Sequence, residues 1–438
     1  MEKGRDLLVK MESEDKTINV LVFLWHSTTD TTVTAGGYKR IIEFVKRIPE
    51  GFNFYILDNS PTIFDFRTPR FNVYEYKIPE IFYRILKINF MLGRFLEWLI
   101  ASIKLFFHGN RILKQKKCQV IYLPITELLF VFLPAVLLRI IYRKKIVCDI
   151  LNFEMPYGSV RKFYRQMRSR GYSLIRSLFL PLHIRIQYFI IKSCFKKIDC
   201  IMSVSQYLAD YIRRGGAIGY IGFTPSGVNA KFIESFSDIP KTLDGVYVGR
   251  HEVEKGIFDL LEAWRIVIGL RPGSRLALVG PCNASTRRQI ENKLTEYQIN
   301  EYVSIKGALS EEEKIKTIKS GKVFIHLGKV EPLVPVITVL EALVCGLPVI
   351  LYDQPSYREH PEIYKHPAFS LVSIGDFKIA AQEIVRYLNM NKTENDFVKE
   401  NAQDYTRSFD WENISQIEYA AIRQVAFSDK KRNRHHFL

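Results

Sequence analysis

Short apolar runs of strand length, each followed by a helical stretch, constrain this chain more than any other feature. The first is Ile18–Leu24, INVLVFL, rich in β-branched residues. Such runs suit strands buried on both faces, the pattern of a parallel sheet. Behind it come a polar stretch, HSTTDTTVTAGGYKR, and apolar residues at Ile41, Phe44, Val45 and Ile48 in helical spacing. The order is strand, glycine-containing loop, helix. Further strands are predicted at Phe52–Leu57, Val120–Leu123, Lys145–Ile150 and Cys200–Val204, with helical stretches between them. This alternation builds right-handed βαβ units and a doubly wound α/β sheet.

The second half repeats the scheme. Gly245–Val248 is a predicted strand, GRHEVEKG a loop, and Ile257–Leu270 a helix with Leu260, Leu261, Trp264 and Val267 at apolar spacing. Arg275–Val279, Val303–Ile305, Val323–His326 and Pro348–Leu351 are further short strands. The length, 438 residues, exceeds what one core holds, and the turn-rich stretch Glu234–Asp244 is the best place to divide it. Two α/β halves of similar size would take a ligand in the cleft between the carboxyl ends of their strands.

Charge points to a partner. The formal net charge is +17, and it is unevenly placed. Residues 1–80 carry 11 Lys+Arg against 12 Asp+Glu, 81–198 carry 22 against 4, and 199–438 carry 30 against 30. Between 155 and 198, ten cations and no acid are interleaved with apolar and aromatic residues such as Phe163, Tyr172, Phe179 and Phe189. The stretch 81–107, IFYRILKINFMLGRFLEWLIASIKLFF, has the same character. Basic, aromatic, amphipathic segments fit an anionic lipid surface. Helices flanking a sheet with solvated cations account for the apolar residues but not for the missing acids. No nucleic-acid recognition motif accompanies the charge, so nucleic acid is not an expected partner. The longest apolar run, Leu128–Leu138, is eleven residues, against the ~20 a spanning helix needs. Six scattered cysteines without metal spacing fit a reducing compartment rather than a disulfide framework or a zinc site. The N-terminal MEKGRDLLVKMESEDKT lacks an apolar core and does not read as a signal peptide.

Two stretches carry chemistry. In VGRHEVEKG, Arg250 and Lys255 stand five residues apart on a loop running from a strand end into a helix. Two cations beside a helix N-terminus can hold a diphosphate, although a solvated loop with ordinary surface charge gives the same spacing. In EPLVPVITVLEA a helix starts at Pro335 or Thr338, and Glu341 lies one turn in. A carboxylate there can accept hydrogen bonds from a ribose diol, or merely complement the helix dipole.

At these residues the chain resembles a family-4 retaining glycosyltransferase of the GT-B fold, over nearly its whole length. Gly36 and Gly37 resemble that family's N-terminal glycine loop. CIMSVSQYLADYI and TPSGVNAKF, with Ser205, Pro225, Gly227 and Asn229, resemble its domain-junction region. GRHEVEKG resembles its G-R-x-x-x-x-K-G loop, and LEALVCGLPVI its E-A-x-x-x-G-x-P-V-I segment. SFDWENISQIEY resembles its closing helix, which in that fold crosses back to the N-terminal domain.

The resemblance implies two Rossmann-like parallel-sheet domains facing across a cleft. Residues 1–238 would form the acceptor-side domain with the basic amphipathic segments, and 239–398 the nucleotide-sugar domain. A helix at 399–427 would return to the first domain, and 428–438 would be a disordered basic tail. By the same resemblance Arg250 and Lys255 hold the donor diphosphate and Glu341 the ribose. Gly36, Gly37, Gly249 and Thr338 complete the donor site. The family's first carboxylate falls on Leu333, so Glu331, ten residues before Glu341, becomes the candidate sugar-side acid. The family's N-domain histidine is absent; CDILNFE offers Asp149, Asn152 and Glu154 instead. The implied reaction moves a hexosyl group, with retention, from a nucleotide-diphosphate sugar to a lipid-linked or glycolipid acceptor. It needs no cofactor and no obligatory metal. The expected setting is cytoplasmic, on the inner face of an anionic membrane. A transferase extending a soluble or cell-surface polysaccharide is one alternative; a catalytically silent GT-B-like binding protein is another.

Overall fold

The computed structural model describes residues 17–25, 36–59, 68–81, 84–85, 90–124, 129–151, 160–169, 173–237, 239–331 and 335–428. The glycine-loop residues before Gly36, together with Asn152, Glu154, Leu333 and the tail beyond Ser428, lie outside them. The chain forms two compact units. One holds the first strand, Gly37–Thr224 and the chain from Ser415 onward; the other holds Pro225–Ile414.

The N-terminal unit is built on seven parallel strands: β1 (Ile18–Phe23), β2 (Phe52–Asp58), β3 (Phe71–Glu75), β4 (Val120–Leu123), β5 (Lys145–Ile150), β6 (Cys200–Ser203) and β7 (Tyr220–Phe223). Their order is β3-β2-β1-β4-β5-β6-β7. The chain starts in the middle of the sheet and winds outward both ways, so β1 is covered on both edges. Val20 pairs with Phe54 on one side and Val120 on the other. The two outermost strands are the ones the apolar runs leave out. β3 (FNVYE) and β7 (YIGF) each bury only one residue fully, because an edge strand meets the core on one side. The helices of this unit are α1 (Gly36–Lys46), α2 (Phe90–Lys116), α3 (Leu129–Tyr142), α4 (Val160–Ser169), α5 (Leu174–Cys194) and α6 (Gln206–Arg214).

The second unit carries β8 (Leu243–Val248), β9 (Leu276–Val279), β10 (Val303–Gly307), β11 (Gly321–His326), β12 (Val349–Tyr352) and β13 (Phe369–Val372). The order is β10-β9-β8-β11-β12-β13, again wholly parallel. Its helices are α7 (Ala230–Glu234), α8 (Ile257–Leu270), α9 (Ala284–Glu296), α10 (Glu311–Lys319), α11 (Ile337–Val344), α12 (Phe377–Leu388) and α13 (Lys392–Thr406). Both sheets thus reverse direction beside the strand that opens each unit, β1 and β8. In such sheets ligands bind outside the carboxyl ends of the strands near that point.

The last helix, α14 (Trp411–Phe427), packs into the N-terminal core from its second turn onward. The Tyr419 ring stacks on Phe44 at 4.2 Å, and its hydroxyl donates to the Phe44 carbonyl at 2.7 Å. Beside it lies a buried polar network. Arg40 on α1 donates to Thr224 Oγ1 at 2.8 Å and pairs with Glu418 of α14. The Tyr122 hydroxyl, with one proton to donate, lies 2.8 Å from Asp149 Oδ2 and 3.1 Å from Glu418 Oε2. Asp149 Oδ2 also stands 3.7 Å from Arg40 Nε. Burial pushes the Asp149 carboxyl up to about 6, against the opposing pull of Arg40 and Tyr122. Asp149, one of the residues standing where the family places its histidine, is therefore part of the interior.

Candidate active site

β8 ends at Val248, and the chain turns at Gly249, whose N–H donates to the Val279 carbonyl of β9 at 2.9 Å. The following loop carries Arg250 and Lys255 and enters α8 at Gly256. α8 is fixed from beneath by Ile257, Leu260, Leu261, Trp264 and Val267, all fully buried. Gly256 sits in the left-handed region at φ +71°, and a Cβ there would stand 1.9 Å from the carbonyl oxygen of Leu327. No side chain fits both constraints. Gly256→Ala should therefore cost about 1–3 kcal/mol of stability. It should also displace the loop that carries Arg250 and Lys255. A thermal unfolding midpoint equal to the parent's would show that the loop tolerates the methyl group.

Lys255 points to the end of β11. Its Nζ donates to Glu331 Oε1 at 2.5 Å, and His326 Nε2 meets the same oxygen at 2.9 Å. Glu331 is buried, and its backbone is fixed as well. Its N–H donates to Gln354 Oε1 at 2.7 Å, and its carbonyl accepts from Ser356 Oγ at 2.9 Å. Gln354 in turn donates to the Gly328 carbonyl. Gly328 leaves room for the turn: a Cβ there would stand 2.5 Å from Glu331 Oε1 and 3.0 Å from His326 Nε2. Lys329 ties this segment to α8 through Asp259, at 2.8 Å, and Asp259 also accepts from the Tyr352 hydroxyl at 2.7 Å.

Burial alone would raise the Glu331 carboxyl, but His326 and Lys255 outweigh it and hold it at about 2. Glu331 is thus ionised at neutral and mildly acidic pH and has no proton to give. Its chemistry is to fix the positions of Lys255 and His326. Because its acidity is strengthened by folding, its contribution to stability is present above the ordinary glutamate range and is lost as pH falls from about 4.5 towards 2.

The other expected residues are placed less tightly. Arg250 is exposed, with its guanidinium 3.0 Å from Glu252 Oε1. The Arg250 carbonyl is held by the Tyr247 hydroxyl at 2.8 Å. Thr338 is the second residue of α11, and Glu341 is buried one turn further along. The Glu341 carboxylate receives Lys314 Nζ of α10 at 2.9 Å. Gly36 and Gly37 open α1. The structure therefore brings Lys255 and Glu331 together and places Glu341 against Lys314. His326, Gly328, Lys314, Gln354 and Ser356 are functional neighbours that sequence reasoning does not reach. His326 alone has a signal, since it ends a strand five residues before an acid. Among the described residues no group of three or more His, Cys, Asp or Glu could hold a metal ion.

A strand-end loop with paired cations, leading into the first of its unit's helices after the sheet begins, is matched by a known family. Residues 232–404 match the family described as glycosyl transferases group 1. The chain carries a group 1 glycosyltransferase domain. That domain holds every site residue named above except Gly36 and Gly37, and the chain is accordingly a nucleotide-sugar glycosyltransferase. No curated protein matches the glycosyltransferase in sequence. Solved structures do match it. Sucrose-phosphate synthase from Thermosynechococcus elongatus superposes with a TM-score of 0.67 at 18% identity, covering 93% of this chain and 99% of that one. Anabaena HepE in complex with UDP and glucose gives 0.64 at 13%, covering 93% and 100%. A glycosyltransferase from Rickettsia africae gives 0.65 at 12%, covering 94% and 100%. At these identities the likeness shows the fold, and the fold is GT-B.

Proposed function

We propose that this glycosyltransferase moves a hexosyl group, with retention of configuration, from a nucleotide-diphosphate sugar to a lipid-linked or glycolipid acceptor at the inner face of a membrane. The observation that carries the donor half is the Lys255–Glu331–His326 cluster at the strand ends of the second unit. Lys255 is held in place before any ligand arrives, so it meets a diphosphate without reorganisation. Arg250, exposed on the same loop, closes on the diphosphate as a second cation, and the first turns of α8 and α11 add backbone N–H groups. Glu341, on α11, accepts from the ribose hydroxyls. Gly249 and Thr338 give the backbone and hydroxyl contacts close to the phosphates. Catalysis then comes from positioning and from neutralising the charge of the departing diphosphate.

HepE is a guide to the base: that protein was solved with UDP, with UDP and glucose, and with UDP-glucose. A UDP-hexose is the first donor to try. The acceptor half is supported by the acid-poor, cation-rich helices α2–α5 of the N-terminal unit.

A thermal-shift panel of nucleoside diphosphates and their sugars tests the donor site. The matching nucleotide at a hundred times its dissociation constant should stabilise the protein by about 2.7 kcal/mol. Silence from every nucleotide would remove the donor assignment. Transfer to a soluble saccharide and not to a lipid-linked sugar would replace the lipid acceptor with a polysaccharide.

A further inference from the structure

Three helices of the N-terminal unit leave apolar side chains uncovered, and they are packed against one another. Trp98 of α2 stacks on Phe130 of α3 at 5.5 Å and on His183 of α5 at 5.0 Å. Ser102 of α2 also donates to the Phe130 carbonyl at 2.9 Å. Around this junction each helix exposes one stripe. On α2 it is Leu92, Phe95, Leu99, Ile103 and Phe107, at spacings of three and four, while Glu97, Ala101 and Leu105 on the opposite face are fully buried. On α3 it is Leu133, Leu137 and Ile141; on α5 it is Leu178, Leu182, Ile186 and Phe189. These side chains are 40–72% exposed. A soluble surface scatters such residues singly, and stripes on three contacting helices form a patch that marks an interaction site.

Charge says what covers it. The four helices α2–α5 contain one acid, Glu97, and it is buried. Exposed cations stand beside the stripes: Arg185 within that of α5, Arg111 and Lys114 towards the end of α2, and Arg161 and Arg165 on α4, which packs on α5. Two copies of this chain meeting through the patch would bring like-charged rims together. An anionic bilayer satisfies both halves, with apolar side chains among acyl chains and cations at the headgroups. Among the described residues no helix is long and apolar enough to cross a membrane, so the contact lies in the interface plane. Building on the membrane-borne acceptor above, we propose that the exposed stripes of α2, α3 and α5 form a lipid-inserting face, with Phe107 and Phe189 entering the acyl region and the flanking cations binding anionic headgroups.

Flotation of the full chain with vesicles of phosphatidylcholine, alone or with phosphatidylglycerol, tests this. The protein should float with the anionic vesicles, and added salt should release only part of it because apolar insertion is not screened. The double variant F107D/F189D should lose binding by about tenfold or more, since each carboxylate must leave water. Both residues are exposed, and an unchanged nucleotide-induced thermal shift checks that the variant is folded. Flotation with neither vesicle, equal flotation of parent and variant, or a parent dimer that F107D/F189D converts to monomer would each overturn the lipid-inserting face. Transfer to a lipid-linked acceptor without flotation would leave the proposed reaction standing and remove the face. Flotation with transfer only to soluble saccharides would do the reverse.

Discussion

Glu418→Ala should destabilise the N-terminal unit by about 3–5 kcal/mol. Arg40 and Glu418 are 2% exposed, and between them they organise Thr224, Tyr122 and Asp149. Removing Glu418 takes from the buried guanidinium its closest described acid; Asp149 stands 3.7 Å away and is itself weakened by burial to about 6. The substitution also removes the acceptor that lies 3.1 Å from the Tyr122 hydroxyl and 3.1 Å from the Thr224 hydroxyl. Glu418 is on the last helix, so the same loss loosens the contact of Tyr419 with Phe44 and frees the chain end. Calorimetry should show the unfolding of this unit lowered by on the order of 10 °C. Glu418→Gln, which keeps the shape and the hydrogen-bond acceptor, should fall between. A Glu418→Ala midpoint within a degree or so of the parent would mean that the network is not holding α14.

The second large effect concerns turnover. Lys255→Met should lower transfer by on the order of 10²–10³-fold, the usual cost of removing one preorganised group that stabilises developing charge. The variant also leaves the buried Glu331 carboxylate without its lysine partner, so the unfolding midpoint should fall as well and is read beside the rate. Glu331→Gln separates holding from catalysis. The amide can still contact His326, but it no longer offers Lys255 a charge, so turnover should fall while donor affinity changes in the same direction. Since the Glu331 carboxyl is held at about 2, the parent's acid limb in a pH profile above pH 4 cannot come from this residue. Unchanged turnover in Glu331→Gln would take Glu331 out of the mechanism, and unchanged turnover in Lys255→Met would take the cluster with it.

Much of the fold was legible because the central strands are apolar at nearly every position. β1, β2, β4, β5 and β6, and most strands of the second unit, could be placed from that signal alone. β3 and β7 were not, since these edge strands bury one residue each, and neither was β13. The site was legible where chemistry is local: Arg250, Lys255 and Gly256 follow one another on a single loop, and their spacing encodes the turn into α8. Glu331 could be named as the candidate sugar-side acid, but its partners could not. Its neighbours His326, at the end of β11, and Gln354 and Lys255, on two separate loops, stand up to 99 positions apart, and only folding brings them to one oxygen or one backbone N–H.

The charge divides in the same way. By itself the sequence determined that the excess cations lie in 81–198 and that acids are missing there, because composition needs no coordinates. Only the tertiary structure decided which faces of those helices are covered. Glu97 and Ala101 turn inward while Phe95, Leu99 and Phe107 turn out. The reason is physical: a helix carries apolar residues all round in this stretch, so periodicity cannot choose the buried side, and the packing of α2 against α3 and β1 does.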